Sequence, residues 1–372
     1  MLDAILRIIA LTRKELLAVL KDPRGRFSLL VPPIIQCFLY GYAATYDLTD
    51  IPYAVVDQAR SGASHELLAK LDGSGVFHRV ANLKNADQIK GCIDSRTAIL
   101  VIQISQDFER NLLAGRPADV QVISDGRNSN TAGTATGYVA AVVDQYNADW
   151  RSEHGQSPPP VGVVQRAWYN PNLETRWHMI PSLIGTLTLL QTLLLTAMSV
   201  AREREQGTFD QLLVTPFRPF EIMAGKSIPS ILIGLVEATN VLLVAQLWFH
   251  IPFAGSFITL YIGLLLFLLA AVGIGLLVSA IATNMQQAML YSFVVMMPCA
   301  LLSGLTTPLS SMPKFLQFLT LFNPLRYAID IAQRVYLEGA GLSRLTPDLW
   351  PLAVLAVVTL AAASWLFRHR LT

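Results

Sequence analysis

Two short segments of this chain match parts of enzyme motifs, and neither motif is complete. Residues 225–227 read Gly-Lys-Ser, like the end of a glycine-rich loop that binds nucleotide phosphates, but that loop also needs a glycine where Phe220 stands. Ser311 and Lys314 have the spacing of a catalytic Ser-x-x-Lys pair without its companion motifs. The six histidines form no HExxH pattern, and the three cysteines have no metal-ligand spacing. We therefore expect no catalytic constellation, no metal site and no cofactor on this chain.

The composition indicates a membrane protein. Hydrophobic residues make up 53% of the chain and charged residues 15%, whereas a soluble domain has about 25% charged residues. Apolar residues gather in six blocks, each near the length that a helix needs to cross about 30 Å of hydrocarbon. These blocks cover residues 27–46, 177–201, 222–249, 256–282, 287–306 and 349–367. The sequence predicts an α-helical polytopic membrane protein with about six transmembrane helices. The net charge of +2, without a basic stripe, does not indicate nucleic-acid binding.

Residues 1–26 are basic and carry apolar residues at helical spacing. A secretory signal has a short basic start and then an apolar core of about 7–15 residues, which this segment lacks. It predicts instead an amphipathic interfacial helix on the cytoplasmic membrane surface, directly before a first transmembrane helix at residues 27–46. A plain soluble helix is the alternative.

The distribution of Lys and Arg predicts the orientation, because cytoplasmic loops carry an excess of both. The N-terminal segment, the loop after the second span and the C-terminal tail are basic and fall on one side of a six-span protein. We expect that side to be the cytoplasm, with both termini there, in a bacterial inner membrane. Segment 307–348 should then lie outside, although it contains Lys314, Arg326, Arg334 and Arg344. We interpret it as short helices that re-enter the outer leaflet.

Residues 47–175 form a long polar region, which predicts an extracytoplasmic domain inserted between the first two spans. Strand-like and helical patterns alternate in it, as they do in a small α/β domain. Strands are expected at 53–57, 97–104, 119–124 and 161–169, and helices at 64–71, 106–115 and 131–153. Cys92 is the single cysteine of this region, so the sequence predicts no internal disulfide.

Residues 202–226 form a charged and partly apolar loop after the second span. Gly207 and Thr208 break and recap the chain, and a short amphipathic helix around Leu212 is expected before Pro216. The result is a rigid elbow at the cytoplasmic membrane face. From the residues alone, the docking of a partner and a solvated turn are equally good explanations.

The elbow sequence, ERExGTxxxLLVTPxxPxEIMxGK, resembles the signature of type-2 ABC exporter permeases, in the branch with a large extracytoplasmic domain. VVDQARSGASHELL, QDFERNLLAGRPADVQVISDG and LLSGLTTPLSSMPKFLQFLTLFNPLRYAID resemble further parts of this family, and the similarity covers essentially the whole chain. The resemblance implies a permease that moves a small amphipathic or drug-like molecule. It implies a dimer of identical or different permeases, with two ABC ATPase subunits that bind ATP and Mg²⁺. It also allows for a periplasmic adaptor (membrane fusion) protein.

The resemblance further implies roles for individual residues, because the family's coupling helix contacts the ATPase. The expected ATPase-coupling residues are Arg202, Arg204, Glu205, Gly207, Thr208 and Leu212. The expected residues of the interfacial connecting helix are Arg13, Lys14 and Glu15. In this family, ATP closes the ATPases, which push the coupling helices and rock the spans.

Glu237 lies in the middle of the third apolar block, where a carboxylate is costly unless it faces a cavity or a partner. It is a candidate for the translocation path, with Asn240 on the same block and Gln191 on the second. The alternative is a protonated or paired Glu at a helix or dimer contact. For the whole chain, the alternative to an exporter is a membrane-anchored ligand sensor or secretion scaffold with an extracytoplasmic binding domain.

Overall fold

The computed structural model describes residues 2–21, 23–43, 48–127, 129–155, 169–170, 174–207 and 219–371. The chain divides into two units, one made of Met1–Ala44 and Ala167–Thr372 and the other of Thr45–Arg166. We call the first the helical unit and the second the α/β unit.

The described elements follow one another along the chain as helices with four interspersed strands. In order, they are α1 (Leu2–Lys21), α2 (Pro23–Tyr42), β1 (Ile51–Asp57), α3 (Gly62–Asp72), β2 (Phe77–Asn82), α4 (Asp87–Asp94), β3 (Leu100–Ile104), α5 (Phe108–Leu113), β4 (Val120–Ser124), α6 (Ser129–Glu153), α7 (Thr175–Glu205), α8 (Pro219–Leu247), α9 (Phe257–Ile281), α10 (Met285–Leu301), a 3-10 turn (Leu309–Ser311), α11 (Lys314–Thr320), α12 (Pro324–Glu338) and α13 (Leu342–Leu371).

The described part of the α/β unit contains a four-stranded sheet with the order β2-β1-β3-β4. β1 pairs in parallel with β2 and β3, and β4 pairs antiparallel to β3. Helices cover both faces of the sheet, so the central strand β1 is apolar on both sides. Tyr53 and Val55 face one core, and Ala54 and Val56 face the other.

The predicted strands and helices agree with β1, β3, β4, α3, α5 and α6, but the sequence patterns miss β2 and α4. β2 is an edge strand that buries only Phe77, and α4 buries only Ile89 and Cys92. Neither therefore has a clear apolar period. The strand predicted at 161–169 lies outside the described residues apart from Tyr169, which is in a bend.

Four helices among the described residues are long and apolar enough to cross a membrane. They are Thr175–Glu205, Phe220–Leu247, Phe257–Ile281 and Leu342–His369. These agree with four of the six predicted blocks. α10, on the fifth block, is apolar but only 17 residues long. Pro298 lies in its last turn and the helix ends at Leu301, before residue 306, where the predicted block ends.

Two predicted boundaries are corrected. The interfacial helix predicted for 1–26 is shorter, because α1 ends at Lys21 and α2 begins at Pro23, which lacks the N–H needed to continue a preceding helix. The basic end of the predicted interfacial segment therefore belongs to α2. At the other end of the chain, α13 begins at Leu342 and not at residue 349, which shortens the predicted re-entrant segment to the 3-10 turn, α11 and α12.

Close helix packing in the helical unit depends on small residues. Gly234 of α8 lies against Thr188 and Thr192 of α7, and Gly273 of α9 lies against Thr359 of α13. Helices inside a membrane gain stability mainly from such close van der Waals contact. α7 packs against α2, α8, α9, α10 and α12, and these neighbours hold it in place.

Candidate coupling site at the end of α7

The predicted elbow, residues 202–226, starts within the last turn of α7, which ends at Glu205, and its last residues belong to α8, which begins at Pro219. Gly207 has a φ of +66°, a left-handed conformation that glycine adopts without the cost of a Cβ. Arg202, Glu205 and Gly207 are exposed, and Arg204 is half-buried. Thr208, Leu212 and the predicted short amphipathic helix lie outside the described residues.

Arg204 and Glu205 hold the turn between α9 and α10. Arg204 Nη1 donates to the carbonyl oxygens of Ala280 at 3.2 Å and Ala282 at 3.0 Å, which are among the groups that a helix C-terminus leaves unbonded. Glu205 Oε2 accepts a hydrogen bond of 3.0 Å from the backbone N–H of Met285, the first residue of α10. Each charge also suits the helix end that it meets. Two neighbouring side chains of α7 therefore fix both helices of the next turn.

A second set of charges joins α1, α7 and α8, and we call it the ion-pair network. Lys226 Nζ lies 2.7 Å from Glu203 and 3.4 Å from Glu15, and it donates to Ser199 at 3.2 Å. Lys14 Nζ lies 3.1 Å from Glu203. Only 1% of Lys226 and 6% of Glu203 are exposed. Burial lowers the pKa of Lys14, but the hydrogen bond and charge of Glu203 outweigh this and raise it overall.

α1 lies alongside the first half of α8. Arg7 donates to both carboxylate oxygens of Glu221, at 2.8 and 3.1 Å, and Leu11 packs against Gly225. The contact moves toward the C-terminus on both helices, from Arg7 with Glu221 to Leu11 with Gly225, so the two helices run in the same direction. Of the residues predicted for the connecting helix, Lys14 and Glu15 join the ion-pair network and Arg13 is exposed.

Sequence reasoning missed the network because each member had another explanation. Lys226 belonged to the incomplete Gly-Lys-Ser motif, and Glu203 stood between two arginines in a charged run. A usable signal was present, since Glu203 and Lys226 lie near the ends of the second and third apolar blocks, where burial without a partner would be costly. Among the described residues, no group of His, Cys, Asp and Glu is arranged to hold a metal ion.

The structure does not bring the three predicted path residues into contact. Glu237 is 3% exposed, and its Oε2 has no hydrogen-bond partner among the described residues. The same is true of Nδ2 of Asn240, one turn later on α8. Gln191 is half-buried on α7. An unsatisfied carboxylate and amide in one turn of a spanning-length helix mark a polar position that needs a partner.

Comparison with known proteins gives consistent matches over most of the chain. A family model described as ABC-2 family transporter protein matches residues 24–365. The chain is 39% identical to the probable multidrug ABC transporter permease YbhR of Escherichia coli K12, over 98% of this chain and 99% of that relative. It is 28% identical to the probable multidrug ABC transporter permease YbhS of the same strain, over 90% and 89%. It is 31% identical to the inner membrane transport permease YhhJ of that strain, over 76% and 79%.

These matches confirm the family that the elbow sequence indicates. The chain belongs to the ABC-2 family and is a membrane-spanning permease subunit of an ABC exporter.

Proposed function

We propose that this permease moves a small amphipathic or drug-like molecule outward across a bacterial inner membrane. Two permeases, formed by two copies or by this chain with a sister permease, work with two ATPase subunits that bind ATP and Mg²⁺. The cargo class is supported by the names of YbhR and YbhS, which are described as probable multidrug permeases.

The hydrogen bonds of the elbow carry this proposal. Glu205 is exposed beside Gly207, where a partner protein can reach it, and it also holds the first turn of α10. Arg204 holds the last turn of α9. A displacement of the elbow by an ATPase is therefore transmitted to two helices through side chains in direct contact with them. The ion-pair network extends the same displacement to α1 and α8.

We place the elbow and both termini in the cytoplasm and the α/β unit outside, with α2 and α10 completing six spans. The segment that opposes this orientation contains Arg334, whose charge is balanced within the fold. Its guanidinium lies 2.8 Å from Asp348, 3.4 Å from Asp330 and 3.8 Å from Glu338. These ion pairs satisfy the charge of Arg334 at the outer surface. They do not change the Lys/Arg count, in which the other basic regions outweigh this segment.

Exposed apolar faces of a membrane-spanning unit meet either lipid or another protein, and two of them bear on the assembly. α1 exposes Ile5, Leu6 and Ile9. α10 exposes Met289, Leu290, Phe293, Val294 and Met297. We assign the α1 face to the lipid boundary and the α10 face to the second permease. The α/β unit is the part of the chain available to a periplasmic adaptor.

The test is reconstitution in nanodiscs with candidate ABC ATPase subunits, followed by measurement of ATP hydrolysis. Glu205→Ala and Gly207→Pro should each lower coupled hydrolysis severalfold while the subunits still co-purify, because proline cannot adopt the positive φ of Gly207. Glu153→Gln, at an exposed position of α6, is the control and should behave as wild type. If no ATPase binds, or if both elbow variants hydrolyse ATP normally, the proposal fails.

A further inference from the structure

A cavity of about 340 Å³ lies in the helical unit between α1, the start of α2 and α8. Small-molecule pockets typically have volumes of about 300–1,000 Å³, so this one can hold a compact ligand. The residues that line it are Leu16, Leu20, Arg26, Leu232, Ile233, Val236 and Glu237. Glu15, a member of the ion-pair network, directly precedes Leu16 on α1. The network contributes none of the side chains that line the cavity, so the cavity is a separate feature.

Among the described residues that line the cavity, Glu237 is the one buried ionisable side chain. Its side chain is 3% exposed, and Oε2 makes no hydrogen bond to any described residue. A buried carboxylate without a partner is strongly disfavoured, and native proteins retain such a group mainly where something else completes it. A cationic group placed in the cavity would complete Glu237.

The approach to the cavity is apolar. Leu20 is 45% exposed, Leu232 is 43% exposed and Val236 is 57% exposed, and all three are lining residues. The last two lie on α8, a helix of spanning length, so in a membrane they face hydrocarbon. A ligand that passes them must first dissolve in the bilayer, which excludes small hydrated cations and requires an apolar body.

Arg26 is the other charged lining residue, and it does not reverse the expected sign of the ligand. It is exposed at the start of α2, where a guanidinium can remain in water or among lipid headgroups. Glu237 is buried, and charges interact more strongly in a medium of low dielectric constant. The buried carboxylate therefore dominates recognition.

We propose that this cavity binds a lipophilic monocation, with the positive charge against Glu237 and a ring-containing apolar body against Leu16, Leu20 and Ile233. The inference rests on the proposed export function, for which it names the cargo class. The cation reaches the cavity laterally from the lipid, and the cavity takes it up near the middle of the spanning part of α8.

The test uses equilibrium binding of radiolabelled tetraphenylphosphonium to the full chain in nanodiscs without the ATPase, after subtraction of binding to empty nanodiscs. Tetraphenylborate, which has the same shape and a negative charge, is the matched ligand control. The phosphonium should bind saturably and the borate should not. Glu237→Gln, which keeps the shape of the side chain, should weaken phosphonium binding at least about tenfold. Ile233→Trp, which fills the cavity and keeps the carboxylate, should also abolish it.

Glu153→Gln removes an exposed carboxylate from the α/β unit and should leave phosphonium binding unchanged. Size-exclusion chromatography and ATPase stimulation show whether each variant is folded. Equal binding of the two ions, or unchanged binding in Glu237→Gln, overturns the inference. Because this assay omits the ATPase, such a result leaves the elbow experiment standing. Conversely, Glu237-dependent binding in a chain that never couples to an ATPase overturns the cargo role and the export function, and not the binding site.

Discussion

The ammonium of Lys226 lies 2.7 Å from a carboxylate oxygen of Glu203, and both side chains are almost completely buried. The pair connects α8 to α7, and Glu15 brings α1 to the same ammonium. Removing charges from water is costly, so this arrangement is stable only while each charge keeps its partner. The three helices that meet near the elbow are therefore held in one mutual arrangement.

Replacing Lys226 with Met should destabilise the protein by about 3 kcal/mol, the low end of the range for breaking a buried pair. The low end applies because Lys14 still contacts Glu203. The double variant Lys226→Met, Glu203→Gln should regain much of this loss, since no buried charge is then left over. Thermal unfolding in one detergent compares the two.

The matched control is Lys70→Met, which breaks a partly exposed pair with Asp149 on the α/β unit and should change stability little. If the double variant is as unstable as the single one, the network contributes through shape and not through charge.

A graded series at Glu205 should separate its charge from its hydrogen bond. Glu205→Gln keeps an acceptor for the Met285 N–H, whereas Glu205→Lys places a positive charge at the N-terminus of α10 and should cost about 1 kcal/mol there. Coupled ATP hydrolysis should fall in the order wild type, Gln, Ala, Lys. Hydrogen exchange at the Met285 amide should rise in the same order, and an equal loss in Gln and Lys would contradict the assigned contact.

Two glycine-to-alanine changes should have opposite signs. A Cβ at position 273 would meet the side chain of Thr359 and the backbone of Leu360, so Gly273→Ala should destabilise by about 1–3 kcal/mol. A Cβ at position 137, in α6, would meet open space, so Gly137→Ala should stabilise by about 0.5–1 kcal/mol. Thermal unfolding measures both. A stabilising Gly273→Ala would show that α9 and α13 are not in the contact described.

Arg127 lowers the pKa of Asp125 to about 2, through hydrogen bonds from its side chain and its backbone N–H. Because the pKa is lower in the folded state, the contact stabilises the α/β unit at pH values above 3.8, the ordinary pKa of the carboxyl group. This contribution is lost as the pH falls through about 2. Arg127→Gln should return the pKa toward 3.8, as followed by NMR of ¹³C-labelled aspartate. Arg116→Gln is the control, and a pKa that ignores Arg127 would refute the assignment.

Local patterns were sufficient for much of the fold. The run from Thr175 and the run from Phe257 are long and apolar, so each could only be a spanning helix or a fully buried one. In the α/β unit, β1 and β3 are apolar on both faces because each lies in the middle of the sheet. Edge strand β2 has one buried side chain in Phe77 and gave no such signal.

The elbow could be located from sequence, but its contacts could not. The charged run after the second span indicates a surface loop, whereas the bond from Met285 to Glu205 joins residues that are 80 positions apart. Periodicity reports only on neighbours within one element. The cavity beside Glu237 has the same character, because it is formed by α1, α2 and α8 together. The acidic residue was visible in the sequence, and the space around it was not.

The N-terminal helix meets its charged partners late in synthesis. Lys14 pairs with Glu203 and Arg7 pairs with Glu221, which follow 189 and 214 residues later in the chain. A ribosome that adds about 5–20 residues per second needs roughly 10–40 s to reach them. α1 therefore cannot dock until α7 and α8 have been made and inserted. The contact of α1 with α7 and α8 therefore forms only after residue 226 has been made, so a chain that stalls earlier lacks this junction even when its first helices are already in the membrane.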